Sequence, residues 1–127
     1  MELSRAQWDD LVAHAQADAP NECCGYIKLE DGRVSELFRS QNPRNSPYGY
    51  ELDPKSLLAA NELDDDGFGV AIYHSHPRSA AEPSQTDINL AYYPHWIYVI
   101  VSLAGDPEVR AWRIGNGRVE EEEVNVS

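Results

Sequence analysis

The stretch that decides the fold is AIYHSHPRSAAEPSQTDINLA, residues 71–91. Its apolar start is typical of a strand, and Pro77 ends that strand just after two histidines. Side chains alternate between the two faces of a strand, so His74 and His76 are expected to point the same way. Their Cα atoms should lie about 6.5–7 Å apart, at ~3.3 Å of rise per residue. Two imidazoles at that spacing can converge on one ion.

A third ligand follows after a loop. Asp87 lies in SQTDINLAYY, residues 84–93, which predicts a short helix after the strand. The ten residues between His76 and Asp87 are enough for the chain to turn back. Two imidazole nitrogens and one carboxylate oxygen form the three-ligand set typical of catalytic zinc sites, in which water fills the fourth position. Zinc would lower the pKa of that water from 15.7 to about 7.

A hydrolytic site of this kind also needs a proton acceptor that does not bind the metal. The candidate is Glu22, which lies where the first predicted helix gives way to the first strand. A buried glutamate there could take a proton from water and pass it to a leaving amine. Ser84, three residues before Asp87, could donate its hydroxyl to an oxyanion opposite the metal.

The same residues allow other interpretations. SQTD is also a capping box, in which Ser84 and Asp87 would only start a helix. Two histidines and a carboxylate can form the iron site of a non-haem oxygenase, although that site usually has a close His-x-Asp/Glu pair rather than His-x-His. His14 and His95 show no ligand spacing, so we assign them to the surface of the first helix and to the start of a strand.

The rest of the chain predicts an α+β domain with helices packed around one mixed sheet. The order is helix, strand, strand, helix, strand, helix and three strands. The predicted helices begin at Ser4 and Asp53 and within residues 84–93, and the predicted strands span residues 23–30, 33–40, 67–76, 96–103, 108–114 and 117–126. In the second helix, Leu57, Leu58 and Leu63 are expected to face the core.

Length, charge and cysteine content restrict the class of protein. The 127 residues predict a single domain, residues 1–127. The net charge of −12 argues against nucleic acid or an anionic membrane as partner. No apolar run approaches the roughly 18 residues of a membrane span. The start of the chain is no signal peptide, and adjacent Cys23 and Cys24 imply no disulfide framework, which predicts a cytoplasmic location and thiols packed in the first strand.

Glu22, HSHP at 74–77 and PSQTD at 83–87 together resemble the pattern of the JAMM (MPN+) zinc metalloprotease family. That pattern is a distant Glu, then His-(Ser/Thr)-His-Pro, then Ser-x-x-Asp. The resemblance runs along most of the chain and is strongest to the compact bacterial branch. It implies an α–β–α sandwich around a mixed, mainly antiparallel sheet, similar to that of cytidine deaminases.

The resemblance also implies a role for each site residue. His74, His76 and Asp87 would bind zinc, Glu22 would be the general base and acid, and Ser84 would support the tetrahedral intermediate. The implied reaction is hydrolysis after the Gly-Gly end of a ubiquitin-like protein. Bacterial relatives of this kind free cysteine from sulfur-carrier proteins.

Two other functions remain possible within the family. One is isopeptidase action on Lys-linked ubiquitin-like conjugates, although the chain lacks room for the insertions that hold a second ubiquitin. The other is a non-catalytic scaffold, against which the presence of all five site residues argues. A groove for the Gly-Gly tail is expected between the loop QNPRNSPYGY, residues 41–50, and either the histidine strand or the segment with Arg78.

Overall fold

The computed structural model describes all residues, 1–127, as three helices and eight strands. In chain order these are β1 (Glu2–Leu3), α1 (Arg5–Asp18), β2 (Cys24–Glu30), β3 (Arg33–Ser40), α2 (Pro54–Asp65), β4 (Gly69–His76), α3 (Gln85–Asn89), β5 (Ile97–Ser102), β6 (Glu108–Gly115), β7 (Arg118–Glu122) and β8 (Asn125–Val126).

All eight strands form one mixed sheet in the order β7-β6-β5-β4-β2-β3-β1-β8. Among the longer strands only β4 and β5 run parallel, and the other long neighbours are antiparallel. The edge strands β7 and β8 are separated by only two residues, which span about 10 Å at most. The sheet therefore curls until its two edges approach each other, and the amino group of Met1 donates a 2.7 Å hydrogen bond to the carbonyl of Glu123 there.

Helices cover both faces of the sheet. On one face α1 packs against β3 and β5, over a core that includes Ala71 and Tyr73 of β4. On the other face α2 packs against β2 and β4, over a core that includes Val70 and Ile72. All six residues of β5 are buried, as expected for a central strand with both faces covered. Because even-numbered residues of β4 face α2, His74 and His76 lie on the α2 side.

The local signals for helix and hairpin starts are confirmed. Ser4 and Gln7 form a complete capping box at the start of α1, and Asp53 caps α2 by accepting from the backbone N–H of Ser56. The turn between β2 and β3 has φ of 52° at Asp31 and 78° at Gly32, a left-handed pair that the Asp-Gly dipeptide favours.

Three expectations are wrong. Leu58 is 61% exposed, because it lies about 100° around the helix from Leu57, which packs on the core with Leu63. His14 is buried rather than on the helix surface, and its Nδ1 lies 2.7 Å from the hydroxyl of Tyr73, which satisfies the ring inside the core. The strand expected over residues 117–126 is interrupted after Glu122 and forms two strands, β7 and β8. The sequence patterns also missed β1, because two residues are too few to show a strand period.

The longest helix, α1, has 14 residues, and none of the three is both long and apolar enough to cross a bilayer.

Candidate active site

The C-terminal end of β4 carries the two histidines of the site. Both side chains are buried, with 1% exposure at His74 and 5% at His76. Their Nε2 atoms lie 3.1 Å apart, so the rings converge as the i, i+2 spacing predicts. Pairing with β2 on one side and β5 on the other holds the backbone of this strand end.

Helix α3 brings Asp87 to the same point. Its Oδ2 lies 3.2 Å from Nε2 of His74 and 3.0 Å from Nε2 of His76. Asp87 is also part of a capping box: Oγ of Ser84 accepts from the N–H of Asp87, and the N–H of Ser84 donates to the same Oδ2 over 2.9 Å. The capping and ligand interpretations of SQTD therefore hold together, since the cap fixes the carboxylate that faces the histidines.

Both rings turn Nε2 towards Asp87, the position from which an imidazole can coordinate a metal ion there. Nδ1 of His76 lies 2.8 Å from the carbonyl of Ala80. A carbonyl can only accept, so Nδ1 carries the proton and Nε2 keeps its lone pair. Nδ1 of His74 is buried without a partner, and this ring stacks on Tyr50 with centroids 4.2 Å apart.

Titration of these groups follows from their burial and mutual contacts. Burial lowers the pKa of His74, which favours the neutral imidazole that metals bind. Burial also opposes ionisation of Asp87 and His76, but their hydrogen bonds outweigh it, so the pKa of Asp87 falls far below its usual range and that of His76 rises.

Three donor atoms thus meet in one place, all within 4.8 Å of one another. Two imidazole nitrogens and one carboxylate oxygen match the ligand types of three-residue catalytic zinc sites. Three lone-pair donors facing one another are stable only around a proton or a cation. The residues present therefore fit a bound zinc ion.

Glu22 lies beside this cluster, at the start of β2. Cys24 pairs with His74, the N–H of Ser75 donates to the carbonyl of Cys23, and the N–H of Cys23 donates to Oγ of Ser75. Continuing this antiparallel register sets Glu22 opposite His76. The side chain is 7% exposed, and its Oε1 has no hydrogen-bond partner. Burial, reinforced by the charge of Asp87 and opposed by His76, raises the pKa of Glu22 from 4.5 to about 7.

The loop of residues 41–52 holds the backbone of Glu22 through two hydrogen bonds. The N–H of Glu22 donates to the carbonyl of Ser46, and its carbonyl accepts from Nδ2 of Asn42 over 3.0 Å. Asn42 also bonds Arg44, Gly49 and Glu51 within the loop. Sequence reasoning missed Asn42, because an asparagine in a turn-rich loop carries no sign of its distant partner.

The thiol of Cys24 adds a second attachment for the same loop. Its Sγ lies 3.6 Å from the carbonyl of Gln41 and 3.7 Å from that of Glu51. Both Cys23 and Cys24 are fully buried, as expected for thiols packed in the first strand.

A cavity of about 360 Å³ adjoins the site. The loop of residues 41–52 forms one wall, as expected, and Tyr50 from this wall stacks on His74. Of the two candidates for the opposite wall, the histidine strand contributes Ile72, whereas Arg78 does not line the cavity; the segment after α3 contributes Leu90, Tyr92 and Tyr93. The lining residues are Arg44, Tyr50, Glu51, Leu52, Leu57, Ile72, Leu90, Tyr92, Tyr93 and Tyr98.

Comparisons of sequence agree with this architecture. Residues 4–115 match the family described as prokaryotic homologs of the JAB domain. The CysO-cysteine peptidase of Mycobacterium tuberculosis is 42% identical over 123 residues, which cover 91% of this chain and 84% of the relative. The Desampylase of Haloferax volcanii is 36% identical over 114 residues, covering 82% of this chain and 81% of the relative.

Solved structures show the same fold. A protein from Desulfitobacterium hafniense superposes with a TM-score of 0.84 at 30% identity, covering 99% of this chain and 92% of that one. A JAB1/MPN domain protein from Archaeoglobus fulgidus gives a TM-score of 0.65 at 19% identity, covering 99% and 98%, a likeness that concerns the fold alone.

The fold, the His–His–Asp cluster and these relatives together define a peptidase of the JAMM type. The chain belongs to the family of prokaryotic homologs of the JAB domain. The expected mixed α+β fold is confirmed by its structural neighbours. The relatives named as peptidases place the chain in that class rather than among iron oxygenases or scaffolds.

Proposed function

We propose that this peptidase uses zinc to hydrolyse the bond after the C-terminal Gly-Gly of a sulfur-carrier or ubiquitin-like protein, and that the group released is cysteine or a short extension. The observation that carries the proposal is the convergence of His74, His76 and Asp87 beside a buried Glu22 with a raised pKa. The relatives named CysO-cysteine peptidase and Desampylase support this substrate class.

His74, His76 and Asp87 would hold the zinc ion. Zinc in this position would supply a Lewis acid and a water molecule of lowered pKa. The protein contributes the orientation of its ligands: the Ala80 carbonyl sets the tautomer of His76, and the Ser84 cap sets the carboxylate of Asp87. Such supporting contacts fix ligand geometry before the metal arrives.

Glu22 would accept the proton of the attacking water and deliver it to the leaving amine. A catalytic acid and base works best with a pKa near the operating pH, and burial raises that of Glu22 to about 7. Its unpaired Oε1 leaves one carboxylate oxygen without a competing contact. The hydrogen bonds of its backbone with Asn42 and Ser46 hold Glu22 in position.

Ser84 would donate its hydroxyl to the oxyanion of the tetrahedral intermediate. Its Oγ already accepts from the N–H of Asp87, so the cap uses a lone pair and leaves the hydroxyl hydrogen free to donate. A donor held in place before the reaction stabilises the developing charge without reorganisation.

The substrate tail would enter as an extended strand. Gly-Gly has no side chains, so it can pass between the walls of the cavity, where backbone hydrogen bonds would hold it. The net charge of −12 means that recognition rests on this groove and on an apolar patch of the carrier rather than on global attraction. Exposed Leu90 and Tyr92, which line the cavity, and exposed Tyr48, in the loop of residues 41–52, offer apolar contacts for such a patch.

A carrier–cysteine adduct incubated with the zinc-loaded enzyme tests the proposal, with mass spectrometry as the readout. We expect loss of the cysteine and no loss when the second Gly of the tail is replaced by Phe, because a ring would block the groove. The relative named Desampylase favours a second candidate, isopeptidase action on Lys-linked conjugates. An adduct that stays intact while a Lys-linked conjugate is cleaved would establish that second function instead.

A further inference from the structure

Arg44 is a cation without an acidic partner in a strongly acidic protein. Six of the ten Lys and Arg side chains form ion pairs: Arg5, Arg33, Arg39, Arg110, Arg113 and Arg118. Lys28 lies over the ring of Phe68. Of the three that remain, Arg44, Lys55 and Arg78, only Arg44 lines the cavity next to the site.

The structure holds Arg44 in a defined place. Its backbone N–H donates to Oδ1 of Asn42 over 3.2 Å, within the network that also binds the carbonyl of Glu22. Its guanidinium lies flat against Gly49, where a Cβ atom would come within 2.7 Å of Nη1 and 3.1 Å of Nη2. The absence of a side chain at Gly49 therefore makes room for the guanidinium beside Tyr50.

Two sets of contacts connect the place of Arg44 with the reacting groups. Asn42 accepts from the backbone N–H of Arg44 and donates to the carbonyl of Glu22. Tyr50, which lines the same cavity as Arg44, stacks on the ring of His74. The remaining charged side chains around the cavity and site are acidic: Glu22, Glu51 and Asp87. These carboxylates would repel a negatively charged leaving group, and Arg44 is the cationic side chain that lines the cavity to meet it.

We propose that Arg44 binds the free α-carboxylate of the amino acid that leaves, so that the enzyme selects conjugates ending one residue after the Gly-Gly. The inference rests on the proposed function and adds the identity of the leaving group. A guanidinium can bind a carboxylate through two parallel N–H···O bonds. A lysine side chain inside a folded protein presents no carboxylate at that place, so an isopeptide substrate gains nothing from Arg44.

The test compares two adducts of one carrier, ending in cysteine or in cysteine amide. The wild-type enzyme is expected to cleave the acid roughly 10- to 100-fold better by kcat/KM, the range for hydrogen bonds to a charged group. Arg44→Gln should bring the ratio of the two rates to about 1, and Arg44→Lys should leave an intermediate ratio. The ratio is decisive because any effect of Arg44 on Glu22 changes both rates alike.

Two further variants test whether the preference depends on the place of the Arg44 guanidinium. Gly49→Ala keeps every charge but displaces the guanidinium, so it should also lose the preference for the acid. Arg78→Gln removes an unpaired arginine outside the cavity and should keep the preference. Equal cleavage of acid and amide by the wild type, or an unchanged ratio in Arg44→Gln, would overturn the inference.

Binding provides a readout that does not need catalysis. In a Glu22→Gln background, calorimetry should show tighter binding of the acid adduct than of the amide, and the added Arg44→Gln change should remove that difference. Failure of the proposed function would appear as no binding and no cleavage of either adduct. Failure of the Arg44 inference alone would appear as binding and cleavage that ignore the terminal carboxylate.

Discussion

Replacing Glu22 by Gln should make the metal-free protein more stable while making the enzyme inactive. The carboxyl is buried, its Oε1 lacks a partner, and its pKa rises from 4.5 to about 7. At 1.36 kcal/mol per pH unit, that difference between the unfolded and folded chains corresponds to at most about 3 kcal/mol. Gln has nearly the same shape and no charge, so it escapes this cost.

The sign of the effect depends on pH. Below pH 4.5 the carboxyl is protonated in both states and its ionisation costs nothing. As pH rises towards 7 the unfolded chain ionises first, so the folded wild type loses stability, and above pH 7 the loss is complete. The advantage of Glu22→Gln over the wild type should therefore grow between pH 4.5 and 7 and stay constant above.

Urea unfolding of both proteins in EDTA, from pH 4.5 to 8.5, measures this difference. Zinc should reduce the difference, because a nearby cation lowers the pKa of Glu22. The zinc-loaded variant should keep its metal and lose at least ~10²-fold in rate, the low end for general acid–base catalysis. A variant that is less stable than the wild type at pH 8, or whose advantage does not change with pH, would refute the reasoning. Loss of zinc along with activity would instead make Glu22 a ligand.

Three further outcomes are expected. His74→Ala, His76→Ala and Asp87→Ala should each lose most of a stoichiometry of about one zinc per chain, and full occupancy in His74→Ala, measured by atomic absorption, would show that the site is wrongly drawn. Ser84→Ala should keep zinc and lose about 0.5–2 kcal/mol of stability, because the helix cap is lost. Its kcat should fall roughly 10²-fold. An unchanged kcat in the less stable variant would show that Ser84 serves only as a helix cap. Zinc at 100 times its Kd should stabilise the fold by about 2.7 kcal/mol, seen as a higher Tm than in EDTA, and an unchanged Tm would argue against binding to the native state.

Local sequence patterns predicted much of the fold and the centre of the site. Strand alternation placed His74 and His76 on one face, and the Ser-x-x-Asp spacing placed Asp87 at the start of a helix. These features depend on a few neighbouring residues, whose geometry is nearly independent of the rest of the chain. The central strand β5 was predictable for the same reason, since an unbroken apolar run has to be buried on both sides.

Features that depend on distant partners were not predictable. The burial of His14 requires the hydroxyl of Tyr73, which lies 59 residues away along the chain. The hydrogen bond from Asn42 to Glu22 joins a loop to the end of a strand, and no pattern in the loop sequence indicates it. The far wall of the cavity was expected from the histidine strand or from the segment with Arg78. The histidine strand contributes Ile72, and the segment after α3 contributes the rest of that wall in place of Arg78.

The burial of Cys23 and Cys24 decides whether these thiols react with the cysteine that the enzyme is proposed to release. Burial raises the pKa of Cys23 to about 11 and that of Cys24 to about 12. Only a thiolate attacks a disulfide, so neither sulfur takes part in thiol–disulfide exchange at neutral pH. A domain that releases free cysteine beside Glu22 would accumulate no mixed disulfides with it. Turnover should therefore be insensitive to added cystine, and mass spectrometry of the treated enzyme should show no added cysteine on Cys23 or Cys24.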